Sequence, residues 1–268
     1  MNTYAAAARA FPSLLKTGLA EMVSYRVELV IWALTATMPL LMMFIWDRVA
    51  ATGPVGGYDQ NAFAGYFAGT LIVRQLTTAW VVWDLNEQIR TGSISPALLK
   101  PLGPLWLSAA ENLAAVPFRM LVLVPIITCI CLWRPELALG LAWADVPAAA
   151  AALALGWMVY FFIQVCFGAL CFYTEQSGGI YMGFYGLFTL FSGYLFPLDL
   201  MPAGILSVVQ WLPFRAIIQT PVSIITGQLH GAAVLAPMAH QLAWAVICAA
   251  LARWSWRHGI RRYEAYGA

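Results

Sequence analysis

Two side chains of this 268-residue sequence have types that suit nucleophilic catalysis, namely Ser192 in the segment FSGYLF and His240 in a later apolar run. A serine nucleophile and a histidine base on neighbouring helices would make an intramembrane protease. Leu190, however, stands where a G-x-S-G motif has its first glycine, and no set of oxyanion donors is evident. The sequence therefore predicts no catalytic residue, and a cleavage assay of a Ser192 variant would test that prediction.

Neither a metal site nor a nucleotide site is predicted. The five cysteines lie inside or beside apolar runs and lack ligand spacing with histidine or acidic residues. A phosphate-binding loop needs a glycine directly before its lysine, but both lysines of the chain, Lys16 and Lys100, follow leucine. The chain is therefore expected to bind no cofactor, and any ATP that drives it must be bound by another subunit.

Arg74 and Gln75 form a polar pair inside the apolar segment GTLIVRQLTTAW. A charge at the centre of a bilayer costs about 2.5 to 3.5 kcal/mol, so Arg74 must be sheltered. It could face a passage or a partner subunit and attract an anionic or polar group. We favour the alternative, a buried structural pair with Glu175 or Asp84 as the counter-ion, because intramembrane charges are often satisfied internally.

Apolar windows of membrane-spanning length carry these side chains. The chain is 62% hydrophobic and 10% charged, with a mean hydropathy of +0.77, whereas soluble domains have about 25% charged residues. A bilayer core of about 30 Å requires roughly 20 apolar residues per helix. We predict an all-α membrane protein of one domain over 1–268, with no nucleic-acid partner. Its transmembrane part, 29–268, has six predicted helices near 29–46, 62–83, 115–133, 147–173, 179–198 and 233–252.

Lysine and arginine residues flank these windows unevenly, which predicts the orientation in the membrane. Three lie on one side, at Arg48, Arg134 and Arg215. Ten lie on the other, at Arg9, Lys16, Arg26, Arg90, Lys100, Arg119, Arg253, Arg257, Arg261 and Arg262. Because cytoplasmic flanks carry the excess of positive charge, both termini and the 84–114 loop are predicted to be cytoplasmic.

The segment 1–28 is predicted to form an amphipathic helix that lies in the membrane interface. Phe11, Leu15 and Leu19 recur at helical spacing, opposite a polar face that includes Lys16. The alternative is a cytosolic leader whose periodicity is accidental.

The longest polar island, NEQIRTGSISPALLKPLGPLWLSAAEN at 86–112, is punctuated by Gly, Ser and three prolines. Ser95 followed by Pro96 predicts a helix start, because serine can cap free amides and proline suits the first helical position. Lys100-Pro101 and Gly103-Pro104 end that helix after one or two turns. A second amphipathic helix, LWLSAAENLAAV, leads back into the membrane. A short, rigidly bounded helix suits a docking site for another protein; the alternative is an ordinary surface loop.

Residues 196–231 are too apolar for a free loop and too rich in proline for a spanning helix. They predict short, broken re-entrant helices in the outer leaflet, with Pro197, Pro202, Pro213 and Pro221 at the breaks and Gly227 as a helix stop. Irregular backbone at that depth must pack on the bundle or line a passage.

Two small-residue pairs allow close approach of helices, Gly65 with Gly69 and Gly179 with Gly183. They could be dimer seams, but we favour packing within the subunit because such pairs are common in membrane helices.

The whole sequence resembles the membrane subunits of ATP-binding-cassette transporters of the type-2 (ABC-2) exporter-permease class. The resemblance rests on the six spans, the amphipathic segment before the first, the loop IRTGSISPALLKPL, LPF at 212–214 and the terminal RYEAYGA. Its most specific pieces are similar to a bacterial branch whose permeases often occur as paired, non-identical subunits. An inner-membrane location, and export as the direction of transport, are implied by this resemblance.

The resemblance implies a half-transporter. Two such subunits, identical or homologous, would form the passage through the lipid bilayer, and two cytosolic ATPases would bind the ATP and Mg²⁺. These ATPases would grip the amphipathic N-terminal segment and the helix of residues 95–101, which corresponds to the coupling helix of that family. The expected docking residues are Arg90, Ser95, Leu98, Leu99 and Lys100.

An ion-coupled secondary transporter is the main alternative. Such proteins couple through intramembrane carboxylates, or through broken helices within internal repeats. Spans one to three and four to six show no repeat, and Glu175 and Asp199 lie at span ends. The substrate is not predicted.

Overall fold

A computed structural model describes residues 34–100, 102–137, 139–174 and 177–263. Over these ranges the chain is helical and contains no strand, although one isolated β-bridge joins Val55 and Tyr58. The predicted interfacial helix over 1–28, with Phe11, Leu15, Lys16 and Leu19, lies outside the described residues and stays a prediction.

The described ranges contain α-helices that we number in chain order. They are α1 (Thr37–Val49), α2 (Gln60–Thr77), α3 (Val81–Thr91), α4 (Ser95–Leu98), α5 (Pro104–Ala114), α6 (Val116–Trp133), α7 (Val146–Ala169), α8 (Gly178–Phe191), α9 (Ala203–Val209), α10 (Phe214–Ile217), α11 (Gln219–Ile225) and α12 (Leu235–Ile260).

Three helical stretches of the described chain are long and apolar enough to cross a membrane. They are Pro104–Trp133, Trp143–Phe172 and Gly231–Ile260, each of 30 residues. A fourth apolar helix, Gly178–Phe191, is shorter. The all-helical membrane class predicted from composition is therefore confirmed, whereas these lengths alone do not establish six spans.

Two predicted spans differ from the helices that form. The window 62–83 contains two helices, α2 and α3, because the chain leaves the helical region at Thr78, whose ψ is 137°. The fifth window, predicted to reach residue 198, ends as a helix at Phe191. Its 14 residues extend about 21 Å. The chain turns there because Gly193 adopts a left-handed conformation with φ of 88°.

Contacts at both ends of the helices fix their relative directions. Gln241 of α12 donates to the Ala152 carbonyl at 3.0 Å, and Trp256 packs on Phe172 with ring centroids 5.5 Å apart, so α12 runs parallel to α7. The α2–α3 pair also runs parallel to α7, because the Val82 amide donates to Gln164 at 3.3 Å while Leu85 packs beside Gly168.

Helices α6 and α8 run opposite to α2. At one end of α6, Arg134 pairs with Asp47 and Asn61 donates to Glu136 at 3.3 Å; at its other end, Arg119 donates to the Thr78 carbonyl at 2.7 Å. Helix α8 begins beside α3, and the turn that follows it accepts a hydrogen bond from Tyr66 near the start of α2. The bundle therefore has two ends, one of which carries the 92–103 loop.

Helix α2 is the centre of the core. Most of its side chains are buried, including the aromatic residues Phe63, Tyr66 and Phe67, and it packs against α1, α6, α7 and α11. Its amide at Ala62 is capped by the carboxylate of Asp59 at 2.7 Å. A rigid central helix is thereby available to support the polar groups near its other end.

The segment between α8 and α12 contains the short helices α9, α10 and α11. Helix α11 is fully buried against α2 and α7, and it stops before Gly227, whose φ is 73°. Helix α9 is exposed over most of its length. Short helices form in this segment, with Pro202 before α9 and Pro213 before α10, but Pro221 lies in the first turn of α11 and not at a break. Their depth in the membrane stays a prediction.

Candidate coupling site

The polar loop leaves α3 through a glycine turn. Gly92 has φ of 76° and its amide donates to the Ile89 carbonyl at 3.3 Å, while the Ile94 amide donates to Gln88 at 3.1 Å. This left-handed glycine ends α3 sharply. Ile94 is fully buried, which anchors the loop to the bundle directly after the turn.

Helix α4 is one turn long and begins at Ser95, with Pro96 in its first turn. Its shortness agrees with the proline punctuation of the sequence. The predicted serine cap was wrong, because α4 has no side-chain cap. The hydroxyl of Ser95 instead lies 2.8 Å from the hydroxyl of Tyr263. The serine thus ties the loop to the C-terminal segment.

The five predicted docking residues divide into an outward and an inward set. Leu99 is 89% exposed, and Lys100 and Arg90 are also exposed, with Arg90 paired to Glu87 of the preceding turn at 2.8 Å. Leu98 packs against the hydrophobic core, and Ser95 is half-buried. Of the five, Arg90, Leu99 and Lys100 therefore have exposed side chains.

The C-terminal segment contacts the loop and braces it through Tyr263. The hydroxyl of Tyr263 is close to both Ser95 and the Gly92 carbonyl, the latter at 3.4 Å, and its ring lies 5.8 Å from that of Phe172. A Cβ atom on Gly259 would overlap the Phe172 ring, so α12 approaches the end of α7 very closely. Loop, α7 and α12 are joined at this end of the molecule.

We expect Tyr263→Phe to loosen the loop without unfolding the bundle. The substitution removes the hydroxyl contact with Ser95 but keeps the ring on Phe172. Since a hydrogen bond contributes about 1 kcal/mol, amide exchange over residues 92–99 should be roughly five times faster. Hydrogen–deuterium exchange measures this, with Tyr173→Phe as the control because Tyr173 is exposed and lies outside this contact. Equal exchange in both variants and the parent would disprove the brace.

Arg74, at the other predicted polar site, is enclosed by aromatic rings. It is 7% exposed, and its Nη2 lies 3.4 Å from the Tyr185 hydroxyl. Its guanidinium carbon lies 5.3 to 5.9 Å from the ring centroids of Tyr160, Tyr185, Phe188 and Tyr194. A desolvated cation–π contact can be worth about 2 kcal/mol. Several rings together can therefore offset the roughly 2.5 to 3.5 kcal/mol cost of a charge at this depth.

The partners that the structure shows for Arg74 are aromatic, and the ion pair with Asp84 stays a prediction. Ion pairs within the described ranges include Arg90–Glu87 and Arg134–Asp47. Glu175, the other counter-ion considered, lies outside those ranges. Gln75 is buried beside Arg74 in α2. The rings stabilise Arg74 where the sequence suggested a carboxylate.

The break between α2 and α3 is surrounded by three polar side chains. None of them belongs to a site predicted from the sequence. They are Asn112 of α5, Arg119 of α6 and Gln164 of α7, and all three are buried. Arg119 was counted as a cytoplasmic flanking charge, but it is 1% exposed and donates to the Thr78 carbonyl. A polar residue inside a predicted span was the available signal, and Arg74, Arg119 and Gln164 each give it, whereas Asn112 lies before the third span.

The residues considered for catalysis and metal binding do not converge. His240 lies 3.3 Å from the Trp211 carbonyl and 3.1 Å from the Trp244 indole nitrogen, and it forms no hydrogen bond with Ser192. Across the described chain, no three His, Cys, Asp or Glu side chains are grouped to hold a metal ion.

Comparison with known families identifies the kind of protein to which this arrangement belongs. The family described as ABC-2 family transporter protein matches residues 30–267, a range that includes every helix described above. No curated protein matches the sequence. The membrane proteins of this family are transport permeases, and they typically work with ATPase partners. On this match, which covers most of its length, the chain belongs to the ABC-2 family of transporter proteins.

Proposed function

We propose that this chain is the transmembrane permease subunit of an ATP-binding-cassette exporter, forms half of the translocation passage and is driven by a separate cytosolic ATPase. The observation that carries the proposal is the 92–103 loop. In this loop the side chain of Leu99 points outward and is 89% exposed. The segment that carries it begins at the Gly92 turn, and its Ser95 contacts the hydroxyl of Tyr263. An exposed apolar side chain on a loop that is attached to the bundle suits the binding of a partner whose movement is passed on to the helices.

The distribution of charge supports a cytoplasmic location for this loop. The end of the bundle that carries it also carries exposed basic residues, namely Arg90, Lys100, Arg257, Arg261 and Arg262. Arg48 and Arg134 lie at the opposite end, where Arg134 is neutralised by Asp47. From the positive-inside rule we infer that the loop and both termini are cytoplasmic. A bacterial inner membrane is the location that the family resemblance implies.

The alternating helix directions support six crossings. Helices α2–α3, α7 and α12 run one way, and α6 and α8 return. The end of α1 contacts the start of α2, since Trp46 stacks on Phe63 and Gln60 donates to the Asp47 carbonyl. Short α8 would complete its crossing with the irregular segment up to Pro197. Two cytosolic ATPases, carrying ATP and Mg²⁺, would then bind below a pair of permeases through Arg90, Leu99 and Lys100.

Helix α8 supports the presence of a second permease subunit, identical or homologous. A Cβ atom added to Gly179, Gly183 or Gly186 would meet open space, and all three glycines are exposed on the helix. By contrast, a Cβ atom on Gly69 would lie 3.2 Å from Thr226 of the same chain. One small-residue pair thus serves internal packing, whereas the other is free to accept a neighbouring helix.

Affinity purification in mild detergent tests the proposal. The expected result is co-purification of a protein with a phosphate-binding loop, together with ATP hydrolysis by the complex. Substrate movement into vesicles that contain the purified chain alone, driven by an ion gradient and indifferent to ATP, would overturn the proposal in favour of a secondary transporter.

A further inference from the structure

The break between α2 and α3 interrupts the backbone hydrogen bonds of a predicted membrane span. Thr78 is extended, with φ of −61° and ψ of 137°, and α3 begins only at Val81. Backbone groups freed inside an apolar bundle must find other partners, because an unsatisfied group there costs several kcal/mol. A break at this position therefore needs dedicated support.

Side chains from three other helices supply that support. Arg119 donates to the Thr78 carbonyl at 2.7 Å, and the Trp80 amide donates to Asn112 at 3.1 Å. Gln164 makes two bonds, because its Nε2 donates to the Ala79 carbonyl at 2.6 Å and its Oε1 accepts from the Val82 amide at 3.3 Å. Of these three side chains, Gln164 is the one that bonds to the backbone on both sides of Trp80. We refer to these two hydrogen bonds as the Gln164 splint.

Helix α3 is fastened to α7 below the break. A Cβ atom on Gly168, one turn after Gln164, would lie 2.7 Å from Leu85, so the two helices are in direct contact there. The side chain of Asn86 accepts from the Ser177 amide at 3.2 Å, which also joins α3 to the start of α8. No helical backbone bonds continue from α3 into α2 across Ala79.

We propose that Gln164 is a positioning residue for coupling, which makes α3 move with α7 and frees it from α2. This inference rests on the proposed function, since the displacement would begin at the loop bound by the ATPase. A push on the 92–103 loop then tilts α3 and α7 together about Thr78–Trp80. Helix α2, with Arg74 and its rings, stays in place.

The splint is tested first on the purified chain, without any partner. Gln164→Leu should accelerate amide exchange over residues 78–84 by about tenfold or more, because the Val82 amide loses its acceptor. The matched control is Gln241→Leu on α12, which removes another fully buried glutamine with two carbonyl partners, Ala152 and Ala216. Unchanged exchange over 78–84 in Gln164→Leu, or an equal increase in Gln241→Leu, would overturn the splint.

Transmission is tested in the complex with its ATPase by spin labels, after replacement of the native cysteines. A label at Glu87 on α3 is paired with one at Asn61 on α2, or with one at Ala154 on α7; all three positions are exposed. In the parent protein, ATP should change the distance between labels 87 and 61 and leave the distance between labels 87 and 154 constant. Gln164→Leu should abolish this difference between the two distances. Gln241→Leu should keep it. If an ATPase binds but both distances change alike, the inference fails and the proposed function stands. If no ATPase binds the parent protein, both fail.

Discussion

The Leu99→Asp variant is expected to fold normally and to lose its ATPase partner. Leu99 is 89% exposed, so the substitution removes no contact within the subunit. In the complex, its side chain would fill an apolar pocket of the partner, where a carboxylate would be buried without a counter-ion. A central contact of this kind is worth about 2 kcal/mol or more, which corresponds to at least a roughly 30-fold loss of affinity. Co-purification from membranes, together with stimulation of ATP hydrolysis, measures the effect.

Two comparisons separate docking from folding. Trp143→Asp changes a residue that is 92% exposed in the connection between α6 and α7, at the opposite end of the bundle, and should leave ATPase binding intact. Leu98→Asp should also reduce coupling, but by distorting the loop, because Leu98 packs on the core. A Leu99→Asp protein that binds the ATPase with the parent's affinity would show that the loop is not the docking site.

Gly193→Ala should strongly destabilise the fold. Gly193 has φ of 88°, where an L-residue costs about 1 to 2 kcal/mol. An added Cβ would also lie 2.5 Å from both the Tyr66 hydroxyl and the Gln219 Oε1, which are buried and hydrogen-bonded to each other at 2.6 Å. Displacing those groups costs about 1 to 3 kcal/mol more. We expect a total loss of roughly 2 to 5 kcal/mol, which is a large fraction of the stability of a typical domain.

Thermal unfolding in detergent, followed by size-exclusion chromatography, measures this loss. Gly204→Ala is the matched control, because Gly204 lies in helix α9 with a normal φ and nothing within 4 Å of an added Cβ. The control should unfold at or slightly above the parent's temperature. A Gly193→Ala protein with the parent's melting temperature would mean that the turn after α8 is not held as the structure shows.

The helices and the loop could be predicted from local sequence, because their causes are local. Apolar runs of sufficient length indicate α6, α7 and α12, and the Ser-Pro and Lys-Pro steps around residues 95–101 indicate a helix as short as α4. The orientation of side chains on that helix was not predictable. Whether Leu98 or Leu99 faces outward depends on Ile94 and Tyr263, which fix the loop against the rest of the bundle.

The contacts of the polar groups inside the bundle could not be predicted, because their partners are distant in sequence. Residues 78–82 read as part of one continuous apolar span, and the groups that allow the break, Asn112, Arg119 and Gln164, follow at least 30 positions later. The surroundings of Arg74 were also not predictable, for a related reason. A carboxylate is the partner that charge alone suggests, whereas aromatic rings from α7, α8 and the following turn surround it.

Site-specific photocrosslinking in native membranes tests most directly whether a separate ATPase acts on this chain through its loop. A photoreactive amino acid is placed at position 99 or, as the control, at position 143, and the cross-linked protein is identified by mass spectrometry. The account predicts a protein with a phosphate-binding loop cross-linked from position 99 and not from position 143. Cross-linking of such an ATPase from position 143 alone, or its absence from both positions while transport continues, would contradict it.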